Sequence, residues 1–295
     1  MIPTRTEQPH AGHEHLDEYG IRELIEAFID DQACAAVAVR NASAQIALAV
    51  EAAVPRLQNG GRLIYVGAGT SGRLGLLDSV ELRPTFSWPS DRAVALLAGG
   101  PSALYEAVEG AEDDHDRGVR DFTELRPGPH DVVLLLAASG ATPYTLGALA
   151  AARAAGAFTI GIGNNPGSPL AEGAEVGIIL DTGPEVISGS TRLKAGTAQK
   201  ITLNTFSSAV MVRLNKVFGN LMVDLRPTNA KLVRRSIRLI ALATGADEGR
   251  AQAAFEACDH QVKPAIVSIL KAIDPDQARE RLSAVQGSVR AALGN

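Results

Sequence analysis

The chain has 295 residues, of which 46% are hydrophobic, enough to build a sizeable buried core. Its formal net charge of -5 argues against nucleic-acid binding, which needs a basic face. The 2 cysteines, Cys34 and Cys258, have neither C-x-x-C nor metal-ligand spacing, so a disulfide framework is excluded and a reducing compartment fits.

The opening stretch MIPTRTEQPHAGHEHLD is polar and has no apolar centre of the signal-peptide kind. Residues 1–17 are expected to be loosely ordered, and no apolar run approaches the length of a membrane span. His10, His13 and His15 cluster there, but without a second ligand group nearby they are not read as a metal site. Helical periodicity runs from about Glu18 to Asp30 and again from about Ala35 to Leu57, stopping at Asn59-Gly60-Gly61.

Five short apolar runs follow: RLIYVGAG, AVALLAGG, DVVLLLAASG, FTIGIGNN and VGIILDTG. They are continuous rather than alternating, as expected of parallel strands covered by helices on both faces. Helical stretches such as Pro143 to Gly156 separate them, so Arg62 to Asp181 reads as a doubly wound α/β sheet of about five parallel strands. A long helical pattern rich in small residues runs from Thr191 to Phe218. Beyond Asn229 the helical segments DEGRAQAAFEAC, QVKPAIVSILKAI and DPDQARERLSAV are punctuated by Gly245, Pro264 and Asp274-Pro275. The expected organisation is a loose N-terminus over 1–17, an α/β domain with its leading helices over 18–225, and a small helical module over 226–295.

Ligands of such sheets bind beyond the carboxyl ends of the strands. Three of these ends are rich in glycine and hydroxyl groups. GAGTSGR offers Gly69, Thr70 and Ser71 at the start of a helix, where hydroxyls and free N–H groups can meet an anion. AASGATP offers Ser139 and Thr142 in the same way, and EVISGSTRLKAGT offers Ser190 and Thr191, with Arg192 and Lys194 close by. GAGTSG loosely fits the dinucleotide fingerprint, but adjacent hydroxyls suit a monophosphate better. The helix that follows the first loop carries the acid Glu81, in SVELRPTF, and EGAEDDHD is an acidic run; the default for both is solvated carboxylates.

GAGTSGRLGLLDSVELRPTF, AVEGAEDD and EVISGSTRLKAGTAQKITLNTFSSAVMVRLNKVFGNLMVDLRPTNAKL closely resemble the N-acetylmuramic acid 6-phosphate etherases, sugar-isomerase (SIS) domain enzymes related to the glucokinase regulatory protein. The resemblance extends from about Leu16 to the end of the chain. It implies a cytoplasmic homodimer with active sites near the subunit interface, and no metal or organic cofactor. It also implies removal of D-lactate from C3 of a phosphorylated amino sugar by elimination and hydration. The catalytic glutamates of that family fall on Glu81, as the acid at the ether oxygen, and on Glu112, as a second acid/base. Its phosphate-binding hydroxyls fall on Thr70, Ser71, Ser139 and Thr142. The chain departs from the family at Ala141, where an arginine is expected in SGRTPY, and at Leu82 and Arg83, where ECPPTF is expected. Arg83 offers a replacement charge. A non-catalytic sugar-phosphate sensor and an aldose–ketose isomerase are the competing readings. The long third motif and both retained glutamates favour the etherase.

Overall fold

The computed structural model describes residues 4–227 and 229–294, which form two compact units. The first runs to Val80 and resumes over Ser90–Ser207; the second comprises Glu81–Pro89 and the chain from Ser208 onward.

The first unit is built on five strands, β1 (Leu63–Gly67), β2 (Ala93–Leu97), β3 (Val132–Leu136), β4 (Phe158–Gly163) and β5 (Val176–Ile179). They are all parallel, in the order β2-β1-β3-β4-β5. Every residue of β1, β3 and β4 is buried, which is why these strands read as unbroken apolar runs. From β1 the chain moves to one neighbour, β2, and then crosses to the other, β3. The carboxyl ends of β1 and β3 therefore flank the topological switch point, where a crevice opens. Helices α1 (Ile21–Asn41), α2 (Ser43–Gln58), α3 (Gly69–Phe86), α4 (His115–Glu124), α5 (Pro143–Ala154), α6 (Pro169–Gly173) and α7 (Lys194–Arg213) accompany the strands, α3 and α7 continuing into the second unit.

Three sequence expectations change here. The first helical region does not end near Asp30: α1 runs on to Asn41 and meets α2 at a bend of 55°. The polar step at Asp30-Asp31-Gln32 does not break it, because Asp31 is buried and bonded to the Lys194 ammonium at 2.5 Å. The N-terminal segment from Thr4 is not loose either. Thr6 is wholly buried, its N–H donates to Asn165 Oδ1 at 3.2 Å, and Asn165 Nδ2 donates back to Thr6 Oγ1 at 2.9 Å. The long pattern from Thr191 to Phe218 yields a shorter helix. Asn215 adopts a left-handed conformation and the Lys216 N–H reaches back to Met211 O, a Schellman ending that releases the chain from α7.

The second unit contains a hairpin of β6 (Val217–Phe218) and β7 (Leu221–Met222), then α8 (Ala230–Thr244), α9 (Glu248–Ala257), α10 (Val262–Lys271), α11 (Pro275–Ala284) and α12 (Val289–Ala292). Ile240, Phe255, Cys258, Ile266 and Val267 form its core, with Phe218, Leu221 and Met222 packed against it. Val217 and Phe218, expected as the end of a long helix within 18–225, instead form a strand of this hairpin, which packs on the helical core. Asn229, Asp247, Asp274 and Ser288 each cap the following helix through a side-chain acceptor. Gly245 closes α8 in a left-handed conformation. Pro264 does not punctuate: it lies in the first turn of α10, where its missing N–H breaks no helical bond. Among the described residues, no single helix is long and apolar enough to cross a membrane.

Candidate active site

A cleft of about 340 Å³ opens at the switch point. It is lined by the loop after β1 (Ala68 to Ser71), the loop after β3 (Ala137 to Ser139 and Ala141 to Pro143), Glu112 and Asp113, Thr191, and Glu7. Of the residues expected at the site, Gly69, Thr70, Ser71, Glu112, Ser139, Thr142 and Thr191 therefore share one cleft. Ser190 is half-buried in the third loop and is not among the lining residues. Glu81 and Arg83 lie near the C-terminal end of α3, are exposed, and are also absent from the lining. A larger cleft of about 730 Å³ in the second unit, lined by Asp224, Arg226, Lys263 and Arg279 among others, contains none of the expected residues.

Two helices point their first turns into the cleft. α3 begins at Gly69, whose φ of 51° lies in the left-handed region. Gly72 allows the helix to start tight against its strand, since a Cβ there would stand 2.4 Å from Leu97 Cδ1 and 2.5 Å from Gly67 O. α5 begins at Pro143 after Thr142, whose side chain makes no capping bond and so leaves its hydroxyl to the cleft. Ser139 Oγ accepts the Ala141 N–H at 3.2 Å, which leaves the hydroxyl proton free to donate. Unsatisfied first-turn N–H groups and the positive helix ends make both starts receptive to an anion.

The start of α7 is different. The buried Glu185 carboxylate accepts from Lys194 N at 2.9 Å and Ala195 N at 2.8 Å, so this helix start is already capped from within. Burial pushes the Glu185 carboxyl upward, and Asp31 adds to the effect, against the opposing N–H bonds and Lys194. Lys194 itself is turned away from ligand duty: its ammonium bonds Asp31 Oδ1 and Pro184 O. The third loop therefore contributes Thr191 to the lining but no open helix start.

Ser71 also departs from its expected role as a hydroxyl donor. Asn164 Nδ2 lies 3.1 Å from Leu180 O and 3.5 Å from Ala195 O, two acceptors that fix its amide orientation. Asn164 Oδ1 then accepts from Gln199 Nε2 at 3.0 Å, which turns Gln199 Oε1 toward Ser71 Oγ at 2.8 Å. An amide oxygen can only accept, so the Ser71 hydroxyl donates inward. Toward the cleft it offers a lone pair and its backbone N–H. Among the described residues the Thr70 hydroxyl has no such commitment, and it is half-buried at the cleft.

Glu112 is placed by helix packing rather than by its own loop. Its carbonyl accepts the Tyr144 N–H of α5 at 3.0 Å, and Asp114 caps α4 through Arg117 N at 2.8 Å. α4 and α5 meet at two glycines. A Cβ on Gly118 would come within 2.0 Å of Tyr144 O, and one on Gly147 within 2.1 Å of His115 O. The Tyr144 hydroxyl donates to Asp121 Oδ2 at 2.9 Å, and burial, with that bond, pushes its pKa well above the ordinary phenol value.

Glu7, Gln199, Asn164 and Glu185 were not found by sequence reading. Asn164 is followed by Asn165 and Gln199 by Lys200, so no local signal marks either side chain as buried. Glu7 lies in a stretch whose polarity hid it. The His10 and His13 rings lie 4.7 Å apart, and the His10 backbone N–H donates to Ser188 Oγ at 3.3 Å, which ties the segment to the third loop.

A parallel five-stranded sheet with hydroxyl-lined helix starts at its switch point is the architecture of a SIS-domain protein. Residues 45–153 match the glucokinase regulatory protein N-terminal SIS domain and residues 123–209 match the SIS domain. The fold is that of a phosphoheptose isomerase from Francisella tularensis, with a TM-score of 0.50 at 19% identity over 66% of this chain and 100% of that one. Sequence relationship is much closer elsewhere. An N-acetylmuramic acid 6-phosphate etherase of Deinococcus radiodurans is 56% identical, across 99% of this chain and 96% of the relative. One from Enterobacter is 48% identical, across 95% and 94%. The chain belongs to the N-acetylmuramic acid 6-phosphate etherases, a family of carbon–oxygen lyases.

Proposed function

We propose that this protein removes D-lactate from N-acetylmuramic acid 6-phosphate, leaving N-acetylglucosamine 6-phosphate, a step in the recycling of cell-wall amino sugars. The observation that carries this is Glu112, which shares one cleft with the hydroxyl-bearing starts of α3 and α5. Thr70, Ser139, Thr142 and the first-turn N–H groups hold the phosphate. The charged residues of the lining are Glu7, Glu112 and Asp113, all acidic, so phosphate binding rests on helix starts and hydroxyls rather than on a cation. This also accounts for tolerance of Ala141.

An ether is a poor leaving group until the sugar ring opens and its C1 aldehyde acidifies the C2 proton. A base then removes that proton. The C2–H electron pair forms a C2=C3 double bond, and the C3–O bond breaks with its electrons going to the lactyl oxygen, which is protonated by an acid. Water adds at C3 and a proton returns to C2. Glu112 serves as the acid/base at the sugar. Glu81 serves as the acid at the leaving oxygen, by correspondence with the family motif. Each such group is worth roughly 10²–10⁴-fold in rate.

The active form is a homodimer. Ile21, Ile25 and Ile29 recur along one stripe of α1 and are 80%, 53% and 62% exposed, a face suited to a second copy. Glu81 follows the exposed apolar residues Leu77 and Val80, a setting in which a covering subunit would take the carboxylate out of bulk water. The free cysteines and a phosphorylated substrate fit a cytoplasmic location.

The test is release of D-lactate from N-acetylmuramic acid 6-phosphate by the purified protein. Glu112→Gln should melt at the wild-type temperature and release lactate at least 100-fold more slowly. Wild-type turnover by that variant would reject the assignment, and a ketose product from the wild-type protein would reject the reaction.

A further inference from the structure

Two acids of the cleft lining have no place in this mechanism: Asp113, which adjoins Glu112 in the chain, and Glu7, which comes from a separate segment. Glu7 enters on the N-terminal segment, which is fastened over the far side of the sheet at three points. The Arg5 guanidinium pairs with Asp181 just beyond β5 at 2.5 Å. Thr6 and Asn165, just beyond β4, exchange hydrogen bonds, and Asn165 Nδ2 also donates to Ala138 O in the loop after β3 at 3.0 Å. The His10 N–H reaches Ser188 of the third loop. Between these anchors Glu7 lines the cleft together with Glu112, Ser139 and Thr191. Gly189, at φ 78°, makes room for it: a Cβ there would stand 3.3 Å from Glu7 Oε2. The segment is therefore a strap whose docking sets where this carboxylate stands.

A third acid in a cleft that takes a phosphorylated ligand does nothing for the phosphate. The anion-receptive elements, the starts of α3 and α5, follow β1 and β3, whereas the strap's own direct bonds are to residues beyond β4 and β5 and in the third loop, reaching the loop after β3 through Asn165. A carboxylate on that side is an acceptor for the other end of the ligand. It has about four lone-pair sites for hydroxyl and amide hydrogens, and its negative charge disfavours a phosphate bound the wrong way round.

We propose that Glu7 is a specificity-determining residue of this cleft, delivered by the N-terminal strap, which accepts hydrogen bonds from the hydroxyl and N–H groups of the bound amino sugar and orients it with its phosphate toward α3 and α5. The proposal rests on the cleft being the phosphosugar site, and it deepens that reading by assigning the sugar end.

The test compares two probes, N-acetylglucosamine 6-phosphate and inorganic phosphate, by calorimetry on the full-length protein. Glu7→Gln keeps the size of an exposed side chain and should leave the fold intact. It should weaken binding of the sugar phosphate roughly 10- to 100-fold, the range for a lost charge-assisted hydrogen bond. Binding of inorganic phosphate should change less than about twofold, because the phosphate contacts remain. Thr6→Val, which removes one strap anchor while keeping Glu7, should reproduce the selective loss of sugar affinity. Glu7→Gln binding both probes as the wild type does would overturn the proposal. So would equal loss of both, which marks a general structural effect, or a loss confined to Thr6→Val, which assigns the effect to the strap backbone. Failure of the wild-type protein to release lactate would reject the etherase reaction instead, and leaves the two-probe comparison readable.

Discussion

The inward commitment of the Ser71 hydroxyl separates it from its neighbour Thr70, and substitution should show the difference. Among the described residues, Ser71→Ala removes the one proton that reaches Gln199 Oε1, in a glutamine with no exposed surface. A buried acceptor left without a partner costs about 1–3 kcal/mol. In a unit of about 200 residues this lowers Tm by roughly 3–9 °C. Affinity for inorganic phosphate should hardly move, because the hydroxyl was not donating to the cleft and the backbone N–H remains. Thr70→Val is the counterpart. It keeps the shape, should leave Tm within about 2 °C, and should weaken phosphate binding about tenfold through loss of one hydroxyl donor. Differential scanning calorimetry and phosphate titration of both variants decide the matter. If Ser71→Ala loses phosphate affinity as Thr70→Val does and keeps its Tm, the orientation argument that runs from Asn164 through Gln199 is wrong.

Two further outcomes follow from the packing and the ion pairs. Gly118→Ala places a methyl 2.0 Å from Tyr144 O and must part α4 from α5; overpacking of this kind costs about 1–3 kcal/mol, and lactate release should fall by more than the loss of folded protein explains because the Glu112 turn moves with the helices. Asp131 is predicted to contribute acid-sensitive stability. Burial alone would raise its pKa, but the Arg62 guanidinium and the N–H groups of Gly128 and Arg62 more than offset this and hold it below the usual carboxylate range. With the folded pKa depressed, the contribution is complete above the unfolded value of about 3.9 and is lost as pH falls from there through the folded value. Urea unfolding at pH 7 and at pH 3 should show a wide gap for the wild type and a narrower one for Asp131→Asn. An unchanged gap would discard the assignment.

What the sequence disclosed and what it hid divide along the range of the interactions involved. The strands were legible because they run almost unbroken in apolar and small residues, β1, β3 and β4 being buried along their whole length. The helix starts at Gly69 and Pro143 were legible because glycine, hydroxyl and proline signals act within a few residues. The continuation of α1 through Asp31 was not, since the cation that neutralises that acid stands 163 positions away. The strap was misread for the same reason: Thr6 and Asn165 satisfy each other over 159 positions, and nothing local marks a threonine as buried. At the site, hydroxyl residues were found by type, but which hydroxyl faces the ligand depended on a chain of amides from a strand end and a distant helix. Glu112 was singled out through its family motif; its position in the cleft follows from the two glycines of α4 and α5.

Those two glycines bear on how still the Glu112 carboxylate can be. A solvent-exposed acid on a turn ordinarily samples many positions. Here the turn is bonded to a helix whose backbone lies against another helix with no side chain between them at the crossing, so the turn shares the small-amplitude motion of a packed interior. The side chain keeps its access to water and substrate while its main chain inherits the order of the core. Such an arrangement allows an open cleft to hold an acid/base in a defined place without closing a lid over it.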